Sequence, residues 1–199
     1  MTRSAKLFVV SGPSGVGKGT LVSRLREERP NLGLTVSATT RSPREGERDG
    51  VSYHFLSEEA FEDLVRKGGF YEWAQVHGHR YGTLTSEVER LLARGLSVVL
   101  EIDVQGGLQV RRNNPDAVLV FIEPPSFEVL EARLRGRGTE DEKTIQTRLA
   151  NAKREMEFAD SYDVRIVNDS LDDALRKLEA VFDMYESDEG STKDVRNQA

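Results

Sequence analysis

The chain has 199 residues, 37% of them apolar, with 28 Lys and Arg against 34 Asp and Glu, a net charge of −6. That length suits one domain of roughly 100–200 residues with a full core of its own. No run approaches about 20 apolar residues, which excludes a spanning helix. The absence of Cys excludes a disulfide framework and thiolate metal sites, and fits a reducing cytoplasm. The opening MTRSAKLFVVSG enters a strand-like run with no small-residue cleavage site, so no secretory leader is expected.

The charge is unevenly spread. Residues 1–50 carry +4, residues 51–132 carry −6, residues 133–154 carry +4 and residues 155–199 carry −8. Two short basic segments on an acidic body suit a small polyanion better than a nucleic-acid polymer.

In chain order, Lys6–Ser11 is an apolar, β-branched run that ends in Gly-Pro and reads as a buried strand. Gly17–Arg29 spaces Leu21, Val22 and Leu25 as a helix, stopped by Pro30. Leu34–Thr39 reads as a second strand and Arg41–Val51 as a loop. Ser57 caps a helix through Phe61, Leu64 and Val65 that ends near Gly68-Gly69. Phe70–Tyr81 predicts two strands around Gly78, followed by a helix over Thr83–Arg94.

Ser97–Val104 and Ala117–Glu123 read as strands, and Ser126–Arg135 as a helix. Thr139-Glu140-Asp141-Glu142 has the capping-box pattern and opens a long helix through Ile145, Leu149, Ala152 and Met156. Val164–Val167 is a short strand, and Ser170–Glu186 a helix with one apolar stripe. Polar composition then continues through residues 189–199, expected to be a disordered tail. Four strand runs apolar on both faces, alternating with helices, predict a parallel sheet covered by helices. Ligands of such sheets bind beyond the strand C-termini. That edge falls near Gly12–Thr20, Thr39–Arg44 and Glu101–Gln105.

Gly12-Pro13-Ser14-Gly15-Val16-Gly17-Lys18 follows a strand and opens a helix, matching G-x-x-x-x-G-K in its required context. The glycines let successive N–H groups point inward, and the helix N-terminus favours an anion. Lys18 adds a full charge near the outer phosphates. A tight turn that binds nothing needs one or two glycines, not three and a Lys. The motif asks for Ser or Thr after Lys; here Gly19 stands there and Thr20 follows. A Mg²⁺ would rest on Thr20, or on water and substrate oxygens.

Arg41 and Arg44 beside Pro43 follow a strand end and suit a second phosphate, since Arg forks pair with its oxygens. Glu72 lies among Phe70, Tyr71 and Trp73. A partly buried carboxylate accepts from adjacent donors, which guanine offers at N1–H and the 2-amino group, whereas adenine N1 is an acceptor. Arg133–Arg154, with Gly136 and Gly138 as pivots, suits a segment that closes over phosphates and excludes water. His77-Gly78-His79 with no Cys reads as exposed loop rather than metal site.

Gly12–Thr20, Ser37–Glu47, Phe70–Gln75 with Tyr81-Gly82-Thr83, Glu101–Gly106, Gly136–Glu140 and Val167–Asp169 together resemble the guanylate kinase family, in its order and spacing, over about residues 5–186. The resemblance implies a P-loop NTPase-type three-layer α/β/α fold over residues 1–188. Its core would be residues 1–36, 97–135 and 155–188, its small GMP-binding subdomain residues 37–96, and its mobile lid residues 136–154. It implies that ATP lies on Gly12–Thr20 with Arg133, Arg137 and Asn168, the last beside adenine. Arg41, Arg44, Tyr53 and Tyr81 would hold the GMP phosphate, and Ser37 and Glu72 the base, with Thr83 of the GMP site standing where the family often has Ser.

Asp103 and, less directly, Glu101 stand where the family has acids near both nucleotides. Lys18, Arg41, Arg137 and Arg148 would neutralise charge during phosphoryl transfer from ATP to GMP or dGMP, with Mg²⁺. A cytoplasmic monomer or small homo-oligomer, with no membrane or nucleic-acid partner, is expected. The rival is an inactive module of the same fold that binds phosphopeptides. Such modules tend to lose the ATP side, which this chain keeps in Lys18 and in Arg133, Arg137 and Arg148, which match the family's lid arginines.

Overall fold

The computed structural model describes residues 4–76, 78–136 and 141–187. Two sheets organise them. The larger has the strand order β2-β7-β1-β8-β9: β2 Gly33–Leu34, β7 Val98–Glu101, β1 Leu7–Ser11, β8 Val118–Glu123 and β9 Val164–Val167. Every pairing in it is parallel. Central β1 is buried at all five positions, as a strand covered on both faces must be.

Alternate β1 side chains feed two cores. Phe8 and Val10 pack with helices α1 (Lys18–Glu28), α5 (Phe127–Gly136), α6 (Glu142–Met156) and α7 (Leu171–Glu186). Phe8 stacks on Phe182 with ring centroids 3.7 Å apart. Leu7 and Val9 pack with α3 (Thr85–Ala93) and α4 (Val104–Asn113) on the opposite face. The result is the three-layer α/β/α arrangement. Among the described residues no helix is long and apolar enough to cross a membrane.

The second sheet has the order β4-β3-β6-β5: His54–Phe55, Ala38–Thr39, His79–Leu84 and Phe70–Val76. Helix α2 (Glu58–Arg66) covers it, capped by Ser57 Oγ, which accepts from the Ala60 N–H at 3.1 Å. Phe61 of α2 is buried and stacks on Phe70.

Four expectations need correction. Leu34–Thr39 is not one strand: β2 ends at Leu34 in the large sheet, and β3 starts at Ala38 in the small one. Between them the Val36 N–H donates to Glu87 of α3 at 2.8 Å rather than to a strand. Thr83 does not open the following helix; it lies in β6 opposite Glu72, and α3 starts at Thr85. The strand expected over Ser97–Val104 stops at Glu101, and an unforeseen helix, α4, begins at Val104. Helix α6 is capped by Asp141, whose carboxylate accepts from the Thr144 N–H at 2.8 Å, and not by Thr139, which lies outside the described residues.

Candidate active site

The loop after β1 is built on three glycines with positive φ: Gly12 at 145°, Gly15 at 88° and Gly17 at 101°. Each is also hemmed in. A Cβ would come 2.2 Å from Ile122 O at Gly12, 2.7 Å from Leu134 at Gly15 and 2.6 Å from Asn168 at Gly17. Both the dihedral and the space demand glycine. Gly12→Ala is therefore expected to cost about 3 kcal/mol or more in stability. Thermal melts check this; a variant that melts like the parent would refute it.

Lys18 opens α1, and its Nζ donates back to the Gly12 and Pro13 carbonyls at 2.6 and 3.2 Å. Burial lowers its pKa, while Glu101, Glu155 and Asp103 oppose that shift. The loop is braced from behind. Asn168 is buried and its Nδ2 donates to Val16 O at 2.8 Å. Arg133 donates to Asn168 O at 3.0 Å and reaches Val16 O at 3.5 Å. Asn168 and Arg133 thus meet at the loop, and one N–H of the Asn168 amide donates to it.

Beside the loop lies a cleft between the two sheets, with cavities of about 290 and 180 Å³ that share Ser37, Tyr53, Glu101 and Ile102. Thr83 lines the larger; Glu72, Tyr81 and Asp103 line the smaller. Ser37 reaches both because it sits where the chain passes from one sheet to the other. Glu72 is 5% exposed, and Thr83 Oγ1 donates to its Oε1 at 2.7 Å. Burial pushes the Glu72 pKa up to about 7, and the negative charge of Asp103 adds to the rise. Asp103 caps α4, accepting from the Gly106 N–H at 2.8 Å. Glu101 ends β7, exposed at the cleft mouth; desolvation by the surrounding walls raises its pKa and Lys18 opposes.

Arg41 donates to Glu47 Oε1 at 2.8 Å and lies over the rings of Tyr53 and Phe55, at 5.4 and 5.8 Å. The Tyr53 and Tyr81 rings meet edge to face at 6.0 Å. Glu47 also accepts from the Arg44 N–H at 2.7 Å, which closes the loop on itself. The Arg44 side chain is exposed.

A family model described as guanylate kinase matches residues 4–185. The chain belongs to the guanylate kinase family. Guanylate kinase of Synechococcus sp. (strain CC9311) is 53% identical over 175 residues, covering 88% of this chain and 92% of that one. Guanylate kinase of Neisseria gonorrhoeae (strain ATCC 700825 / FA 1090) is 52% identical over 172 residues, covering 86% and 84%. A crystal structure of guanylate kinase from Anaplasma phagocytophilum superposes with a TM-score of 0.75 at 30% identity, covering 94% of this chain and 89% of that one.

The guanylate kinase fold brings Lys18, Glu101 and Asp103 to one cleft edge, and Ser37, Tyr53, Glu72, Tyr81 and Thr83 to its walls. Arg148 lies half-buried on α6. Arg137 falls outside the described residues, as does His77. On the flank of that gap Arg135 of α5 pairs with Glu142 of α6, drawing the Glu142 pKa down to about 2.

Three residues escaped sequence reasoning. Glu47 orients Arg41 from within a turn that has no periodicity to flag it. Gly106 admits the Glu72 carboxylate, since a Cβ there would stand 2.5 Å from Oε2. Glu155 of α6 reaches the phosphate loop: burial raises its pKa, and Lys18 and a hydrogen bond from the Ser14 backbone lower it.

The oxygen donors near Lys18 also bear on magnesium. Gly19 faces Glu101, with a Cβ there 3.3 Å from its Oε1, and Thr20 is exposed one residue on. Among the described residues no cluster of three His, Cys, Asp or Glu side chains could hold a metal alone. One or two carboxylates plus phosphate oxygens and water suit Mg²⁺, which keeps much of its hydration.

Proposed function

We propose that the chain transfers the γ-phosphate of ATP to GMP, and to dGMP, yielding ADP and GDP or dGDP. The observation that carries this is the buried Glu72 carboxylate, set into a cleft whose far edge is a phosphate loop. In this reading Gly12–Thr20 cradle the ATP phosphates, and Lys18 turns from the Gly12 and Pro13 carbonyls to the β- and γ-oxygens. Arg41, Arg44, Tyr53 and Tyr81 hold the GMP phosphate. Glu72, with Ser37 and Thr83 beside it, accepts from guanine N1–H and the 2-amino group; Asp103 supports the same edge.

A GMP phosphate oxygen attacks the γ-phosphorus, and the bond to the β-bridging oxygen breaks as ADP leaves. The monoester is largely ionised at pH 7, with a second pKa of about 6, so no side chain has to remove a proton. Lys18, Arg41 and Arg148 neutralise the charge spread over the transferring oxygens. When Mg²⁺ is bound, Glu101 or Thr20 would help hold it, and it would supply further charge neutralisation. Residues 37–96 then act as the acceptor-binding unit. Relatives named guanylate kinase at about half identity support the enzyme over an inactive binding module.

Incubation with ATP, Mg²⁺ and each of GMP, dGMP, AMP, UMP and dTMP is expected to give diphosphate only from the guanine nucleotides. A preference for any other acceptor would sink the reading.

A further inference from the structure

The selectivity of a buried carboxylate depends on its depth, and the backbone carrying Glu72 is an edge. Strand β5 pairs with β6 on one side; among the described residues no strand lies on the other. Helix α4 lies there instead. Gln109 Nε2 donates to Trp73 O at 2.6 Å, and the Trp73 N–H donates to Gln109 Oε1 at 3.2 Å. A side-chain amide, both donor and acceptor, thereby makes the pair of bonds that a neighbouring strand would make.

One helical turn later Asn113 Nδ2 donates to Tyr71 O at 3.2 Å. The spacing matches: four residues advance a helix by about 6 Å, and two residues advance a strand by about 6.6 Å. Residues 109 and 113 of α4 therefore meet residues 73 and 71 of β5 with the two chains antiparallel. Glu72 lies between the two tethered positions. Gly106, one turn before Gln109, receives its carboxylate, and the cap of the same helix is Asp103.

We propose that Gln109 is a positioning residue for base selection, acting through the Trp73 backbone to hold Glu72 at a fixed depth beside Asp103. One rigid helix then sets both acids of the base pocket. The core face of the molecule thereby determines the register of a strand in the small sheet. This rests on the reading of Glu72 as the carboxylate that selects guanine, and the experiment separates the two.

Gln109→Met keeps the length and removes both bonds. Steady-state kinetics is expected to show KM for GMP raised about tenfold, with kcat and KM for ATP within about twofold, and the GMP-over-AMP preference in kcat/KM lowered about tenfold, the size expected when paired polar groups lose their partners. In a Glu72→Gln background the same change should move that preference by less than about twofold, because the carboxylate it positions is gone. Asn113→Ala, a milder change at the exposed end of the contact, should shift the preference in the same direction by about twofold.

A Gln109→Met enzyme that melts lower yet keeps its GMP-over-AMP ratio overturns the proposal in favour of a purely structural role. An equal loss in both backgrounds overturns it as well. If Glu72→Gln alone leaves the ratio unchanged, the reading of Glu72 is what fails, and the proposal falls with it.

Discussion

Glu72→Gln is expected to lower kcat/KM for GMP about a hundredfold or more while leaving KM for ATP within about twofold. Two hydrogen bonds from guanine to a carboxylate become bonds to an amide that can accept only one of them, and each charge-assisted bond is worth about 1.5–3 kcal/mol. Thr83 Oγ1 donates to Oε1, so the amide keeps its oxygen there and turns its NH₂ toward the base. That NH₂ opposes guanine N1–H and suits adenine N1, so AMP should gain as GMP loses. Parallel kinetics with the two acceptors checks this, and an unchanged ratio removes Glu72 from base reading.

The same substitution has a pH signature. Burial holds the Glu72 pKa at about 7 against an ordinary value of 4.5. With Glu72 in the proposed base-reading role GMP needs the ionised form, so its affinity for the parent should fall about fivefold from pH 7 to pH 6, a step missing from Glu72→Gln. The stability effect runs the other way. The folded chain holds this proton more tightly than the unfolded chain, so ionising Glu72 costs folding free energy. That cost is absent below pH 4.5, grows through the interval and is complete above pH 7. Glu72→Gln should therefore be more stable than the parent by about 3 kcal/mol at pH 8, the order set by the shift, and no more stable near pH 4.5. Urea melts at the two pH values read this directly.

This trade explains which parts of the site a sequence reader can find. The phosphate loop was legible because its demand is local: three positive-φ glycines and a Lys lie within seven residues, and the spacing is the mechanism. The parallel sheet was legible because strands buried on both faces leave apolar runs. Helix α4 was not, because Gly106 and Gly107 lower helix propensity, and their reason lies elsewhere in the chain. A Cβ at Gly107 would stand 2.3 Å from the Tyr162 hydroxyl, and one at Gly106 would collide with Glu72. The break of Leu34–Thr39 into two strands was hidden for a similar reason. Its β-branched residues suit either sheet, and only the Glu87 carboxylate, far along the chain, takes the Val36 N–H out of strand pairing. Glu155 and Glu47 are single acids in polar stretches, with nothing in their spacing to tell a carboxylate that braces the site from a solvated one.

Lys18→Met is expected to lower kcat about 10²–10³-fold with the fold intact, the range for removing one preorganised charge from a developing anion. The methionine keeps most of the buried stem, so packing at the start of α1 is retained. What disappears is the ammonium that bonds the Gly12 and Pro13 carbonyls and faces Glu101, Glu155 and Asp103. Lys18→Arg should not rescue, because a planar fork cannot sit between those two carbonyls as a compact ammonium does.

The kinetic split is diagnostic. A fall in kcat with KM for ATP little changed assigns the charge to the transition state; a rise in KM alone would make Lys18 only an anchor for the ground state. The variant also carries a pH mark of its own. Burial raises the pKa values of Glu101 and Glu155, and Lys18 is the cation that holds both down. Without it their ionised forms cost more, so the stability lost relative to the parent should grow as pH rises from 5 to 8. A loss equal at the two pH values would mean that Glu101 and Glu155 do not feel Lys18, and the electrostatic account of this loop would fail with it.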